Sequence, residues 1–331
     1  RRLTAPPGGV QALFDKPPAL AEVHDSVLRE LVKAQFHIDA RTEASVRQGD
    51  FLAVQYMREV FRLTDLELFC LTLELLPAYD ARLERPLAFL RGGPERGAGA
   101  DLAVRLYHFA EGAAGLPGYH RICSELSEKA ALAFLRAGGR IDPRIADFIL
   151  QNGEARLDKN IAEVFIPGEL GELPLREHRA RELADAIGAD SAENETLYLC
   201  LKGPQGVGRT TCACRTAELL NVPAVLFDCR TAAGARREDF FESLRTAGRE
   251  TLLVQGMLLL RHLDVLFDEP ETVRGVLDLA GRYSGVVFVL TAEDTVTVEP
   301  AQGRRWVEMT FAVPQRGESI ALWERELECL P

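Results

Sequence analysis

The sequence predicts an α/β protein in two parts, a mostly α-helical first half and a second half built on a parallel sheet. Three observations predict it. Apolar residues recur at helical spacing through the first 150 residues. Beyond about residue 175 the pattern changes to short apolar runs separated by helical segments, the alternation that puts a parallel sheet between layers of helices. One strand-to-helix junction reads Gly203-Pro204-Gln205-Gly206-Val207-Gly208-Arg209-Thr210-Thr211, a glycine-rich turn with the spacing of a phosphate-binding loop.

In the first half, Leu28, Leu31, Val32 and Phe36 follow helix spacing, and Val54, Met57 and Phe61 continue it. Thr64-Asp65-Leu66-Glu67 is a capping-box sequence opening a stripe of Leu66, Phe69, Cys70, Leu73 and Leu76, with Pro77 expected to stop the helix. Gly92-Gly93-Pro94 marks a loop, and Asp101 opens a helix carrying Leu102, Leu106 and Phe109. Asp142-Pro143 pairs an N-cap with proline at the first helical position, ahead of Ile145, Phe148 and Ile149. Short helix and strand signals between 118 and 141, with a Gly138-Gly139 turn, fit a winged-helix-like ending to this domain.

The polar stretch 151–174, with Pro167-Gly168 and Pro174, reads as a linker. The expected organisation is therefore a partner-binding domain over 1–150, the linker, and a nucleotide-binding domain over 175–331. Its expected strands are Leu197–Leu201, Ala224–Phe227, Met257–Leu260, Val286–Leu290 and Val307–Phe311, with helices near 209–220, 238–248, 270–283 and 315–327. The chain starts at Arg1 rather than Met and ends at Pro331 directly after a helical pattern, so both ends read as cuts in a longer protein.

Composition narrows the function. The net charge of −11 works against a general role on nucleic acid, where a basic face supplies most of the affinity. No run of about 18 apolar residues spans a membrane, and the start lacks the apolar core of a signal peptide, so a cytoplasmic location is expected. The seven cysteines are scattered without CxxC spacing and read as small apolar residues, and the six histidines show no paired ligand spacing, so no protein metal site is expected.

The chemistry of the loop follows from its residues. Glycines permit positive φ and close backbone approach, so successive N–H groups turn inward on phosphate oxygens. The helix that follows adds its N-terminal dipole, and Thr210 offers the hydroxyl a Mg²⁺ ion needs. Arg209 departs from the usual lysine. It is longer, planar and forked, so it meets phosphate in a different place, and weakened or altered ATP or ADP binding is expected.

On these residues the second half resembles the AAA+ ATPase superfamily, and Phe311-Ala312-Val313-Pro314 followed by Glu318, Ala321, Leu322 and Trp323 looks like the exit from its fifth strand. The resemblance implies a five-stranded sheet in the order 5-1-4-3-2 and a homo-oligomeric ring. Two segments, 61–71 and 140–150, resemble a bacterial ATPase family encoded with extracellular contractile injection systems, whose members carry a helical domain and a degenerate first AAA+ module. That likeness implies a front fragment of a bacterial machine that remodels or assembles a protein client.

The catalytic carboxylates depart from the superfamily pattern. Where four apolar strand residues lead into Asp-Glu, this chain has Met257-Leu258-Leu259-Leu260 followed by Arg261-His262, which opposes Mg²⁺. A second register uses Val265-Leu266-Phe267-Asp268-Glu269 and would make Asp268 and Glu269 the catalytic pair. The resemblance assigns Thr291 as the first sensor and Arg304 or Arg305 as an arginine finger. Competing readings are an active ATPase using Asp268-Glu269, a winged-helix AAA+ DNA-binding regulator and a signalling NTPase switch.

Overall fold

A computed structural model describes residues 21–91, 100–110, 121–123, 125–126, 141–151, 157–168, 170, 177–189, 196–232, 235–292, 305–317 and 319–320. The chain divides into two units, Arg1–Ala155 and Arg156–Pro331.

The first unit is helical in its described parts: α1 (Ala21–Gln48), α2 (Ala53–Val60), α3 (Asp65–Tyr79), α4 (Glu84–Arg91), α5 (Ala100–Ala110) and α6 (Pro143–Leu150). The capping box at α3 forms as its sequence dictates. Thr64 Oγ1 accepts from Glu67 N at 3.3 Å, and Glu67 Oε2 accepts from Thr64 N at 2.7 Å. At α6 the Asp142 carboxylate accepts from Arg144 N at 2.9 Å, ahead of Pro143. Met57, Cys70, Leu71, Leu102, Val104 and Ile145 are buried, and Phe148 of α6 meets Tyr56 of α2 at 5.7 Å between ring centroids. Glu74 is buried inside α3 and is stabilised by an ion pair with Arg91 at 2.7 Å. Pro77 does not stop α3. It sits in the last turn, which closes at Tyr79 with Asp80 N donating to Leu76 O, because one missing N–H that close to the end costs little further helix. The expected winged-helix elements of 127–140 lie outside the described residues.

The second unit is a sheet with helices on both faces. Its elements are β1 (Ala162–Phe165), α7 (Glu177–Gly188), β2 (Leu197–Lys202), α8 (Arg209–Leu219), β3 (Ala224–Asp228), α9 (Arg237–Leu253), β4 (Met257–Arg261), α10 (Pro270–Tyr283), β5 (Val286–Thr291) and β6 (Arg305–Thr310). The strand order is β1-β3-β4-β5-β2-β6. Counted from β2, the five parallel strands run 5-1-4-3-2. The expected count of five is corrected to six, because β1 adds an antiparallel strand outside β3, Ala162 opposite Phe227 and Phe165 opposite Ala224. That strand falls in the stretch read as linker. Polar Asp158, Lys159 and Asn160 precede it, and Glu163 interrupts its apolar pattern, which hides so short a strand from periodicity. Helix α7 was likewise not expected. The expected helix over 315–327 is described only at 316–317 and 319–320.

Strand pleat sorts the core. Leu199, Leu201, Leu226, Leu259, Phe288 and Leu290 face α7 and α8, where Leu183, Cys212, Ala213 and Ala217 close over them. Tyr198 and Phe227 face the other layer. Tyr198 Oη donates to Leu277 O of α10 at 2.8 Å, and Phe227 meets Phe240 of α9 at 5.6 Å. Both faces of the central strands are dry, which explains their continuous apolar runs.

Gly281 lets α10 approach β2, since a Cβ there would stand 2.3 Å from Tyr198 Oη. Alanine gains about 1 kcal/mol of helix propensity. Overpacking against a buried, rigid ring costs about 1–3 kcal/mol, so the clash wins. Urea unfolding should show Gly281→Ala destabilised, and the loss should shrink when Tyr198→Phe is added. Equal losses in both backgrounds would reject this packing account.

Candidate functional site

The site sits where β2 runs into α8, between the ends of β5 and β6. Parallel sheets gather their free strand ends and helix N-termini at such a point. The loop has the backbone that its glycines allow. Gly206 and Gly208 take φ of 85° and 88°, conformations that L side chains rarely adopt. Gly203 has φ 147°, and a Cβ on it would lie 2.3 Å from the Phe311 carbonyl oxygen. The strand exits are therefore packed too tightly for any other residue at 203. Phe311 N donates to Lys202 O at 2.7 Å and Gly203 N to Thr291 O at 3.2 Å, tying the exits of β2, β5 and β6 together.

Pro204, Gln205 and Gly206 are exposed at the crest of the loop, whereas Val207 turns into the core beneath it. Gly208 is the N-cap of α8 and offers no side-chain acceptor, so the N–H groups of the first turn point outward as an anion-ready end. The first helical bond runs from Cys212 N to Gly208 O at 2.8 Å. Thr210 and Thr211 are half-buried on that turn.

Arg209 does not follow the loop outward. It is 8% exposed, and its Nη1 donates to the Thr291 carbonyl oxygen. Burial pulls its pKa below the ordinary value, partly offset by the nearby Asp264 carboxylate. It forms no ion pair among the described residues. Asp264 instead accepts from Ala292 N at 3.1 Å, which holds the exit of β5 from the opposite side. Thr291 thus meets Arg209 through its backbone.

The end of β4 is cationic. Arg261 is the last strand residue, paired in register with Asp228 and Leu290, and pleat puts it on the same sheet face as Leu259, toward α8. Its guanidinium reaches sideways, 3.6 Å to Glu163 of β1 and 4.0 Å to Asp228 of β3. His262 follows with φ 57° and leads into a 3₁₀ turn over Leu263–Leu266. Asp268 and Glu269 lie beyond that turn and are exposed. Glu269 is the N-cap position of α10, and its Oε2 accepts from Thr272 Oγ1 at 2.7 Å. The structure therefore brings together the loop, Arg209, Thr291 and Asp264, and leaves Asp268 and Glu269 on the helix entry. Arg305 is exposed at the start of β6, and Arg304 lies outside the described residues.

Sequence reasoning missed three participants. Asp264 lies between the two registers weighed for the carboxylate pair and belongs to neither. Lys202 and Glu308 went unnoticed, yet they pair at 2.7 Å across β2 and β6, with Trp306 Nε1 donating to the second carboxylate oxygen at 2.8 Å. The signal for that pair was weak, a lysine closing an otherwise apolar strand.

Mg²⁺ chemistry does not fit these residues. Arg261 and His262, not carboxylates, follow the apolar part of β4, and Asp264 spends one oxygen on Ala292 N. Thr210 remains as a hydroxyl ligand without a carboxylate set around it.

Comparison with known proteins adds the following. Residues 11–165 match the family model described as a winged helix domain, variant, a span that ends inside β1. Among solved structures, the ORC1 protein of Aeropyrum pernix in complex with DNA is 17% identical over 47% of this chain and 50% of that one, with a TM-score of 0.34. A katanin structure from work on its self-assembly is 13% identical over 54% of this chain and 68% of that one, at 0.39. Hsp104 of S. cerevisiae in complex with casein is 18% identical over 47% of this chain and 30% of that one, at 0.36. This chain spans half the length of the ORC1 chain and less than a third of the Hsp104 chain that it matches.

Lys202 holds the Glu308 carboxyl below its ordinary value of 4.5, with Trp306 adding to the effect. A depressed carboxyl contributes stability that is present above pH 4.5 and lost as pH falls through the lower folded value. Glu308 is 43% exposed, so the effect is screened to about 1 kcal/mol or less. Denaturant melts across this range should show a shallower acid loss for Glu308→Gln. Parallel curves for the two proteins would remove the pair from any role in holding β6.

Proposed function

We propose that residues 175–331 form an AAA+-type nucleotide-fold module that scaffolds a larger assembly and does not cycle ATP. The observation that carries the reading is Arg209. The cation that should reach a γ-phosphate is folded back on the Thr291 carbonyl, and the neighbouring strand ends on Arg261-His262 rather than on a carboxylate pair. Phosphoryl transfer depends on positioned positive charge, a metal and a residue that orients water. In this chain the loop retains the first in altered form, and the residues present do not supply the other two.

The likeness of segments 61–71 and 140–150 to ATPases encoded with contractile injection systems supports a place in a bacterial machine that remodels or assembles protein. In that setting the helical first unit engages a partner, and the second contributes sheet and loop to a homo-oligomeric ring. An active enzyme using Asp268 and Glu269 has less support, since both are exposed beyond the 3₁₀ turn and Glu269 is engaged by Thr272 at the entry to α10. A DNA-binding regulator draws on the winged-helix match over 11–165. The net charge of −11 works against it, and binding to duplex DNA that weakens steeply with salt would favour it.

Steady-state turnover decides the main reading. The chain with ATP and Mg²⁺ should hydrolyse at least about a thousandfold more slowly than the roughly 1–10 s⁻¹ of a working enzyme. Arg209→Lys should not restore turnover, because Arg261 and His262 persist. Turnover of about 1 s⁻¹ in the unmodified chain would overturn the scaffold reading.

A further inference from the structure

We infer that the loop 203–211 takes the phosphates of a nucleoside diphosphate or triphosphate without a divalent metal, with the Arg209 guanidinium leaving the Thr291 carbonyl to supply the counter-charge. The inference rests on the reading of the loop as a nucleotide site and adds what kind of nucleotide it holds, the metal-free anion.

Arg209 is the first ground. A guanidinium carries five N–H donors in a planar fork. At 8% exposure this one makes a single hydrogen bond, to a neutral carbonyl, and no ion pair among the described residues. Three other cations at the sheet are differently provided. Lys202 has Glu308, Arg215 has Glu177 and Glu218, and Arg261 has Glu163 and Asp228. A desolvated cation without an anion is costly, and an arriving phosphate relieves that cost in a way water cannot. The lowered pKa of Arg209, driven by burial, has the sign expected of such a group.

The loop backbone is the second ground. Positive φ at Gly206 and Gly208 and an N-cap without a side-chain acceptor leave the amide end of α8 open beside Arg209. A Cβ on Gly206 would meet nothing within 4 Å, so the crest of the loop has room.

The third ground is the mismatch with a metal. A hard dication beside Thr210 would find no cluster of carboxylate or other metal-ligating side chains among the described residues, and β4 ends on Arg261. Among the described residues Asp264 is the carboxylate that acts on Arg209, and its Oδ1 is engaged by Ala292 N. A metal there is poorly ligated, and Arg209 is the cation left to supply the counter-charge.

The test is isothermal titration of the 331-residue chain with ADP, once in EDTA and once in excess Mg²⁺, with thermal melts to confirm that each variant is folded. The affinity in EDTA should equal or exceed that in Mg²⁺ within about threefold. Arg209→Met should weaken binding in EDTA by about tenfold or more, the scale of a lost charge-assisted contact. Thr210→Val and Asp264→Asn, which remove the remaining oxygen ligands, should leave the comparison between EDTA and Mg²⁺ unchanged. Binding that requires Mg²⁺, or that Asp264→Asn makes metal-insensitive, would overturn the inference. So would affinity in EDTA that a folded Arg209→Met variant preserves. An absence of binding in both conditions would also overturn it, while leaving the non-hydrolysing scaffold reading intact. Rapid turnover in Mg²⁺ would defeat both.

Discussion

The bond from Arg209 to the Thr291 carbonyl is the contact on which the character of this site depends. It joins the first residue of α8 to the last residue of β5, and the same carbonyl also receives Gly203 N. One acceptor thereby fastens the phosphate-type loop at both of its ends. A hydrogen bond from a charged donor contributes about 1.5–3 kcal/mol when made, and burial of the cation opposes it. The result is a loop held in shape by the protein's own side chain. In an ordinary nucleotide site that work falls to the ligand.

The second cationic position, Arg261, is handled differently. Its partners Glu163 and Asp228 lie to the side, on the strands β1 and β3, at 3.6 and 4.0 Å. Such loose, partly exposed pairs contribute at most about 1 kcal/mol. Edge strand β1 is therefore secured mainly by its backbone ladder to β3 and by the burial of Ala162 and Phe165. What Arg261 contributes is direction. It directs positive charge sideways to the added strand, where it acts as an edge clasp.

Arg209 and Arg261 place two guanidinium groups near the strand ends. Arg209 turns to the Thr291 carbonyl and Arg261 to the Glu163 and Asp228 carboxylates, so the two share no partner. The rest of the module is unaltered by this: Gly203 still admits the Phe311 carbonyl, Leu258 to Leu260 still fill the centre of the sheet, and Tyr198 still reaches across to α10. Fold and chemistry have separated because the core is set by apolar area and strand pleat, and the chemistry by three or four side chains at the strand ends.

Much of the architecture was legible in the chain itself. The apolar runs at β2 to β5 announced strands because both of their faces are dry, and Thr64-Glu67 and Asp142-Pro143 announced helix starts because capping is a local, short-range interaction. The loop glycines were equally plain, since positive φ restricts residue choice. Strand β1 was hidden, because its pairing partner lies some sixty residues away and its own pattern is broken by Glu163. The continuation of α3 past Pro77 was decided by how near the proline stands to the helix end. The direction of Arg209 was beyond any sequence reading. Whether a guanidinium points to solvent, to phosphate or to a carbonyl depends on which strand ends converge beside it, and that convergence exists only once β2, β5 and β6 are laid side by side.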